Sequence, residues 1–306
     1  GDGPLVCCGG NEDGQCSVPP ELGPVVAVAA GEYHTCALKA DGSLVCFGFN
    51  DHGQCNVPPE LGPVVAVAAG GYHTCARIAD GPLVCFGGND FGQLGTGNNV
   101  QQPTPVLLAC AVLVGVHIVV SAAGAFSTLL VSDKGRVFAM GWNNRGQLGL
   151  GHRNSVHRLT AVPVTAPVKQ VACGGEHTCV LTVDGAVLIC GENDDGQLGL
   201  NGVPTGFGDD AKVRELRPVA LPGEAAQVAC GLSQTFAVSA GGALLGWGKN
   251  DEGQLGLGHC QMPQSLPQPV PLPAGALRVA SVGSGGAAGG RHALANCRID
   301  LGGSDP

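Results

Sequence analysis

The sequence predicts an all-β protein, a β-propeller built of four-stranded blades, on three observations. Gly supplies 52 of 306 residues, more than twice its usual share of about 7%, which excludes long helices. A Gly-x-Asn-x-x-Gly-Gln string recurs six times, ending at Gln15, Gln54, Gln93, Gln147, Gln197 and Gln254. Short apolar runs between these strings are divided by hairpin signals such as Asp41-Gly42, where Gly supplies a positive φ. The strings lie 39, 39, 54, 50 and 57 residues apart, the period of one small sheet. Such a sheet cannot bury both faces alone, whereas sheets set around an axis bury each face on a neighbour.

The first complete unit justifies its strands in order. Val25 to Ala29 is short and apolar on both faces, as a buried inner strand should be, and Gly31 ends it. Thr35 to Leu38 and Ser43 to Phe47 flank Ala40-Asp41-Gly42 as the two arms of a hairpin. Asn50 to Gly53 turns the chain again. Pro19, Pro20 and Pro24 bracket an outer edge, where a missing N–H costs little and strand addition is blocked. Val18 to Gly31 and Val57 to Gly70 are identical over fourteen residues. The uncharged run from Val106 to Ser132 is long enough to span a membrane. Its Gly115, His117, Gly124 and β-branched residues, in register with the repeats, make it strands instead.

A second string, Gly-x-x-His-Thr-Cys-x-Leu-x-x-Asp-Gly, precedes five of the turns with substitutions, and Gly289-Gly290-Arg291-His292 is a sixth, degraded copy. Gly174, His177, Leu181, Asp184, Gly185, Gly191, Asn193 and Gln197-Leu198-Gly199 stand in one unit. Trp247-Gly248-Lys249-Asn250 and Gln254-Leu255-Gly256 stand in another. In these motifs the sequence resembles the regulator of chromosome condensation repeat family over essentially the whole chain. The resemblance implies a single propeller domain over residues 1–306 and says little about activity. The chain opens in mid-unit, Asp2 to Cys7 matching Asp80 to Cys85, and closes on half a unit near His292. The expectation is therefore six blades, with N- and C-terminal strands sharing one. Seven, the usual family number, would need a further blade upstream.

Composition narrows function. Lys+Arg is 15 against Asp+Glu 24, a net charge of −9, so no broad cationic surface exists for nucleic acid. Fifteen Cys occur without a Cys-x-x-Cys pair, against zinc ribbons and thioredoxin-like centres. No nucleophile elbow, phosphate loop or His-Glu-x-x-His motif is present, so no enzyme, cofactor or metal is expected. Gly283-Ser284-Gly285-Gly286 lacks the following helix that a dinucleotide site needs. His34, His73, His177 and His292 are repeat-fixed and replaced by Ser127 and Gln234 in two blades. They are read as hydrogen-bonding the blade turns, since a metal set would not be exchanged so freely. The acidic turns, Asp194-Asp195 among them, lack calcium-loop spacing and are read as solvated.

The cysteines carry a register argument. Around Asp41, hairpin partners sum to 82, so Cys36 faces Cys46; around Asp80 they sum to 160, so Cys75 faces Cys85. Both pairs are disulfide candidates, which favours an oxidising compartment, secreted or lumenal, against the alternative of small core residues. Cys179 and Cys190 miss the register by one, and Cys173 and Cys230 read as core. The start of the chain has neither Met nor a basic segment, so a targeting segment was removed or never belonged to it.

The family includes a guanine-nucleotide exchange factor, a plant ultraviolet-B photoreceptor, a secreted β-lactamase inhibitor and repeats of ubiquitin ligases. The photoreceptor's Trp cluster is unavailable with two Trp, and the exchange factor's wedge has no counterpart in this sequence. The short Gly-Gln-Cys-x-Val-Pro-Pro ends of the first two repeats resemble the inhibitor, and the insertion Asn201 to Arg217 reads as a recognition loop. The expected function is a non-enzymatic interaction module or subunit of a larger assembly that binds a protein partner. Its candidate face is a loop ring carrying Tyr33, Tyr72 and Phe126, then Glu176, Ser233 and Arg291. The alternatives are side chains that merely cover the channel mouth, or a regulator of a small GTPase of the guanine-nucleotide exchange type.

Overall fold

A computed structural model describes residues 5–79, 82–108, 115–272, 278–284 and 293–298. It is an all-β β-propeller. The first blade is β1 (Val25–Ala30), β2 (His34–Lys39) and β3 (Leu44–Gly48). The second is β4 (Val64–Ala69), β5 (His73–Ile78), β6 (Leu83–Gly87) and β7 (Gln102–Leu107). The third is β8 (Ile118–Ala123), β9 (Ser127–Ser132), β10 (Val137–Gly141) and β11 (Val156–Ala161). The fourth is β12 (Val168–Cys173), β13 (His177–Thr182), β14 (Val187–Glu192) and β15 (Lys212–Pro218). The fifth is β16 (Ala225–Cys230), β17 (Gln234–Ser239), β18 (Leu244–Gly248) and β19 (Gln264–Pro269). A pair, β20 (Arg278–Ser284) and β21 (Ala293–Arg298), comes last.

The expectation of six four-stranded blades is thus corrected. Five blades precede the β20–β21 pair, and the first has three strands. Its 39-residue repeat leaves only Val57 to Gly62 for an outer strand, and Pro58 and Pro59 lack the N–H groups that a ladder needs. Of the segment expected to share a blade with the end of the chain, Leu5 to Cys8 carry no strand among the described residues, and the remainder lies outside them. The run Val106–Ser132 holds β8 and β9, and no helix among the described residues is long and apolar enough to cross a membrane.

Hydrophobic burial lies between blades, as sheets around an axis require. Leu94, Phe138 and Met140 join the second blade to the third, and Ile189, Leu198 and Trp247 join the fourth to the fifth. All are essentially inaccessible, each apolar side chain contributing about 1.5–3 kcal/mol. Inner strands β1, β4, β8, β12, β16 and β20 touch in sequence. The hairpin register is the expected one: Cys36 pairs with Cys46 and Cys75 with Cys85, whereas Cys179 faces Ile189.

Candidate protein-docking face

Every turn of the Gly-x-Asn-x-x-Gly-Gln string is closed by the same two side chains. The Asn Oδ1 accepts from the backbone five residues on, as in Leu94 N to Asn89 (3.0 Å) and Leu148 N to Asn143 (3.0 Å). The Gln Oε1 accepts from the residue two before it, as in Phe91 N to Gln93 (3.0 Å) and Arg145 N to Gln147 (3.0 Å). These amides satisfy backbone donors that the tight turn would otherwise leave unpaired. The positions marked x are left free of that duty.

Between blades runs a relay that sequence reasoning placed differently. His34 Nε2 meets Thr74 Oγ1 of the next blade at 2.8 Å, and Thr74 donates to the Gln54 carbonyl at 2.8 Å. His73, Thr128 and Gln93 repeat this, as do His177, Thr235 and Gln197. The histidines therefore bond the adjacent blade's Thr, and Thr rather than His bonds the turn. A hydroxyl that donates to a carbonyl accepts at its lone pair, so each Nε2 carries the proton and the buried Nδ1 is left without a partner. Burial and the neighbouring His34 hold His73 down at about 3, hence neutral. Gly31 is dictated by this packing, since a Cβ there would lie 2.5 Å from the Gly70 carbonyl and 2.8 Å from the His34 ring. Among the described residues no three metal-ligating side chains gather.

These bonds set one face of the propeller. Phe49 N, Gly88 N and Trp142 N donate to the carbonyls of Tyr33, Tyr72 and Phe126, and Glu192 N and Lys249 N to those of Glu176 and Ser233. Neighbouring loops are joined in turn, Glu32 N to Gly70 O, Gly71 N to Ala125 O and Gly175 N to Leu232 O. Tyr33, Tyr72, Phe126, Glu176 and Ser233 thus share one mouth; Arg291 lies outside the described residues.

The aromatic sector is larger than the sequence suggested. Tyr72 stacks on Phe126 at 5.5 Å and leans on Tyr33 at 5.0 Å. Phe49 and His52 meet Tyr72 at 5.9 and 5.5 Å. Phe91 and Trp142 extend the belt past Phe126, at 5.1 and 5.6 Å. Phe49, His52, Phe91 and Trp142 were missed because they occupy the x positions of the turn string, which recur without a fixed residue type. The signal was present: three turns in succession carry a ring there. All seven rings are half-buried.

Acids adjoin the belt. Burial raises Glu32, against an opposing hydrogen bond from Tyr33, and contacts with Tyr72 together with burial hold the Tyr33 hydroxyl well above its ordinary range. Arg145 Nε meets Glu176 at 2.9 Å and Glu192 at 3.2 Å. One guanidinium cannot neutralise two carboxylates with Asp194 beside them. Burial first, then Glu176, pushes Glu192 up to about 9.

The structure places Cys75 and Cys85 within bonding distance of each other across the hairpin. Cys36 and Cys46, at the same place one blade earlier, are free thiols with Sγ atoms 2.7 Å apart. Cys173 and Cys230 are core, as expected.

The family model of the RCC1-like domain matches residues 1–295. The chain is 35% identical over 170 residues to the ultraviolet-B receptor UVR8 of Arabidopsis thaliana, covering 54% of this chain and 37% of that protein. It is 38% identical over 174 residues to the secretion-regulating guanine nucleotide exchange factor of Bos taurus, covering 55% and 35%. The matches therefore span little more than a third of these relatives' length. Human WBSCR16 superposes with a TM-score of 0.76 at 24% identity, over 89% of this chain and 77% of that one. Yeast RCC1 (Prp20), solved bound to Kap60, gives 0.75 at 23%, over 90% and 68%. Nothing in these likenesses supports the oxidising compartment expected from the cysteines, and that expectation is withdrawn. With a family model matched across nearly its whole length, this chain belongs to the RCC1-like domain family.

Proposed function

We propose that this chain is a non-enzymatic interaction module that docks a protein partner on the loop face, as one part of a larger assembly. The observation that carries the reading is the belt of seven half-buried rings from three adjacent blades. Rings held by backbone hydrogen bonds on a rigid scaffold lose little conformational freedom on binding, and such aromatic anchors dominate interface energies. The acidic surroundings disfavour nucleic acid.

A second reading, nucleotide exchange on a small GTPase, is favoured by the 38% identity to a secretion-regulating guanine nucleotide exchange factor. One pair of measurements separates the two. A photo-cross-linking residue at position 72, compared with one at the exposed Val183 in the β13–β14 hairpin turn, traps a partner from the native assembly only at position 72 if the face docks protein. Equal trapping at both positions refutes the docking face. Accelerated release of a fluorescent guanine nucleotide from a purified small GTPase, abolished by Tyr72→Ala, would establish the exchange reading.

A further inference from the structure

A face that docks protein can still take chains of very different chemistry, and its charge decides among them. The turn string is closed by its Asn and Gln side chains, so acids at its x positions are not needed to hold the backbone. Yet Asp51, Asp90, Asp194, Asp195, Asp251 and Glu252 all stand there. Asp51, Asp90, Asp251 and Glu252 are exposed. Asp194 Oδ1 is buried without a hydrogen-bond partner. Glu32 and Glu176 add carboxylates from the loops.

In the loops and turns of this face, the cations among the described residues are Arg145, Arg153 and Lys249. All three are already engaged, Arg145 with Glu176 and Glu192, Arg153 with Asp209 at 2.7 Å and Lys249 with Asp251 at 3.3 Å. What remains is an excess of carboxylates around the aromatic belt. Carboxylates set beside Tyr, Phe and Trp rings are the surroundings that an ammonium or guanidinium prefers, since it pairs with the acid and rests on the ring. An acidic or phosphorylated segment would be repelled, and a purely apolar one would desolvate the carboxylates without return.

Resting on the docking reading, we infer that the face takes a basic segment of its partner, a stretch of chain presenting Arg or Lys side chains to the rings between Tyr33 and Trp142. The acidic rim steers that segment in, so association depends on ionic strength.

The test is calorimetric titration of the whole chain with a Gly-Arg repeat peptide and, separately, its Gly-Glu counterpart. Emission locates the site, because Trp142 is half-exposed in the belt while Trp247 is fully buried. The expected result is one saturable site for the basic peptide alone, weakened by salt and accompanied by a change in Trp142 emission. Asp51→Asn combined with Asp90→Asn, and separately Tyr72→Ala, should each weaken it about threefold or more. Asp133→Asn, in the β9–β10 hairpin turn away from the face, should leave it unchanged. Absence of binding, equal binding of both peptides, or an equal loss from Asp133→Asn overturns the inference. If the basic peptide fails while position 72 still cross-links a partner, the docking reading stands and only the charge inference falls. If the peptide depends on Asp51 and Asp90 but is indifferent to Tyr72→Ala, the aromatic docking reading falls instead.

Discussion

The relay between blades predicts opposite outcomes for one substitution at two equivalent positions. Thr128 Oγ1 accepts from His73 Nε2 at 2.8 Å and donates to the Gln93 carbonyl at 2.8 Å. Thr178 occupies the same place one blade on, but the residue that should reach it is Ser127, too short to cross, and its hydroxyl is buried without a hydrogen-bond partner. Thr→Val keeps the shape and deletes the hydroxyl. At Thr128 this strands a buried N–H and a buried carbonyl together, costing about 2–4 kcal/mol. At Thr178 it removes a group already unpaired, so stability is unchanged or rises by up to about 1 kcal/mol. Urea unfolding of the two variants reads the difference directly from midpoint and slope. With a slope common to both, the Thr128→Val midpoint should fall well below the parent's and the Thr178→Val midpoint at or slightly above it. Equal losses, or a larger loss at Thr178, would refute the relay as the bond that joins blades.

Ser127→His supplies the missing donor and should stabilise by about 1 kcal/mol, with no gain in a Thr178→Val background, both read as unfolding midpoints. Gly199→Ala places a Cβ 2.7 Å from Trp247 Nε1 at a φ of +64°; unfolding should show a loss of about 2–4 kcal/mol and near-ultraviolet dichroism a disturbed Trp247. Glu192, raised to about 9 in the fold from about 4.3 in an unfolded chain, contributes stability that is full below the lower value and is lost as pH rises toward the upper one. Glu192→Gln should therefore flatten the decline in urea midpoint between pH 5 and pH 9, and an unchanged profile would count against the raised carboxyl. Peptide mapping without reduction should join Cys75 to Cys85 and never Cys179 to Cys190, because Cys179 faces Ile189 across the hairpin.

The register of each hairpin was legible because an Asp-Gly turn fixes its centre, and pairing then follows by counting. The three-stranded first blade was not, although its cause is local: the argument that Pro marks an outer edge also implies that Pro58 and Pro59 cannot build one. The partner of the recurring His was invisible because the bond crosses from one repeat to the next, over 40 residues between His34 and Thr74. Three of the seven rings of the aromatic belt were read from the loops that precede the recurring His. The other four, Phe49, His52, Phe91 and Trp142, hid in positions that the repeat leaves variable.

That division has a physical basis. β1 and β4 share the sequence Val-Val-Ala-Val-Ala-Ala, yet β4 buries Val64, Ala68 and Ala69 and exposes only Val65, at 44%, while β1 buries none of its residues and exposes Val26 and Val28 at 64% and 43%. The covering surface belongs to the preceding blade: β4 packs on β1 and β2, and no such sheet precedes β1 among the described residues. Burial here is a property of neighbours, and the invariant part of a repeat serves that neighbour contact through its His, Thr, Gln and apolar residues. Changing one of those alone strands a group on another blade, as Ser127 in place of His leaves the Thr178 hydroxyl without a partner. The x positions meet no such demand, so rings and carboxylates can collect there without weakening the fold. On that reasoning Asp51→Asn and Asp90→Asn should shift the urea midpoint by less than about 0.5 kcal/mol equivalent while changing what the face binds. A loss of stability comparable to Thr128→Val would mean that the acidic turns belong to the scaffold after all.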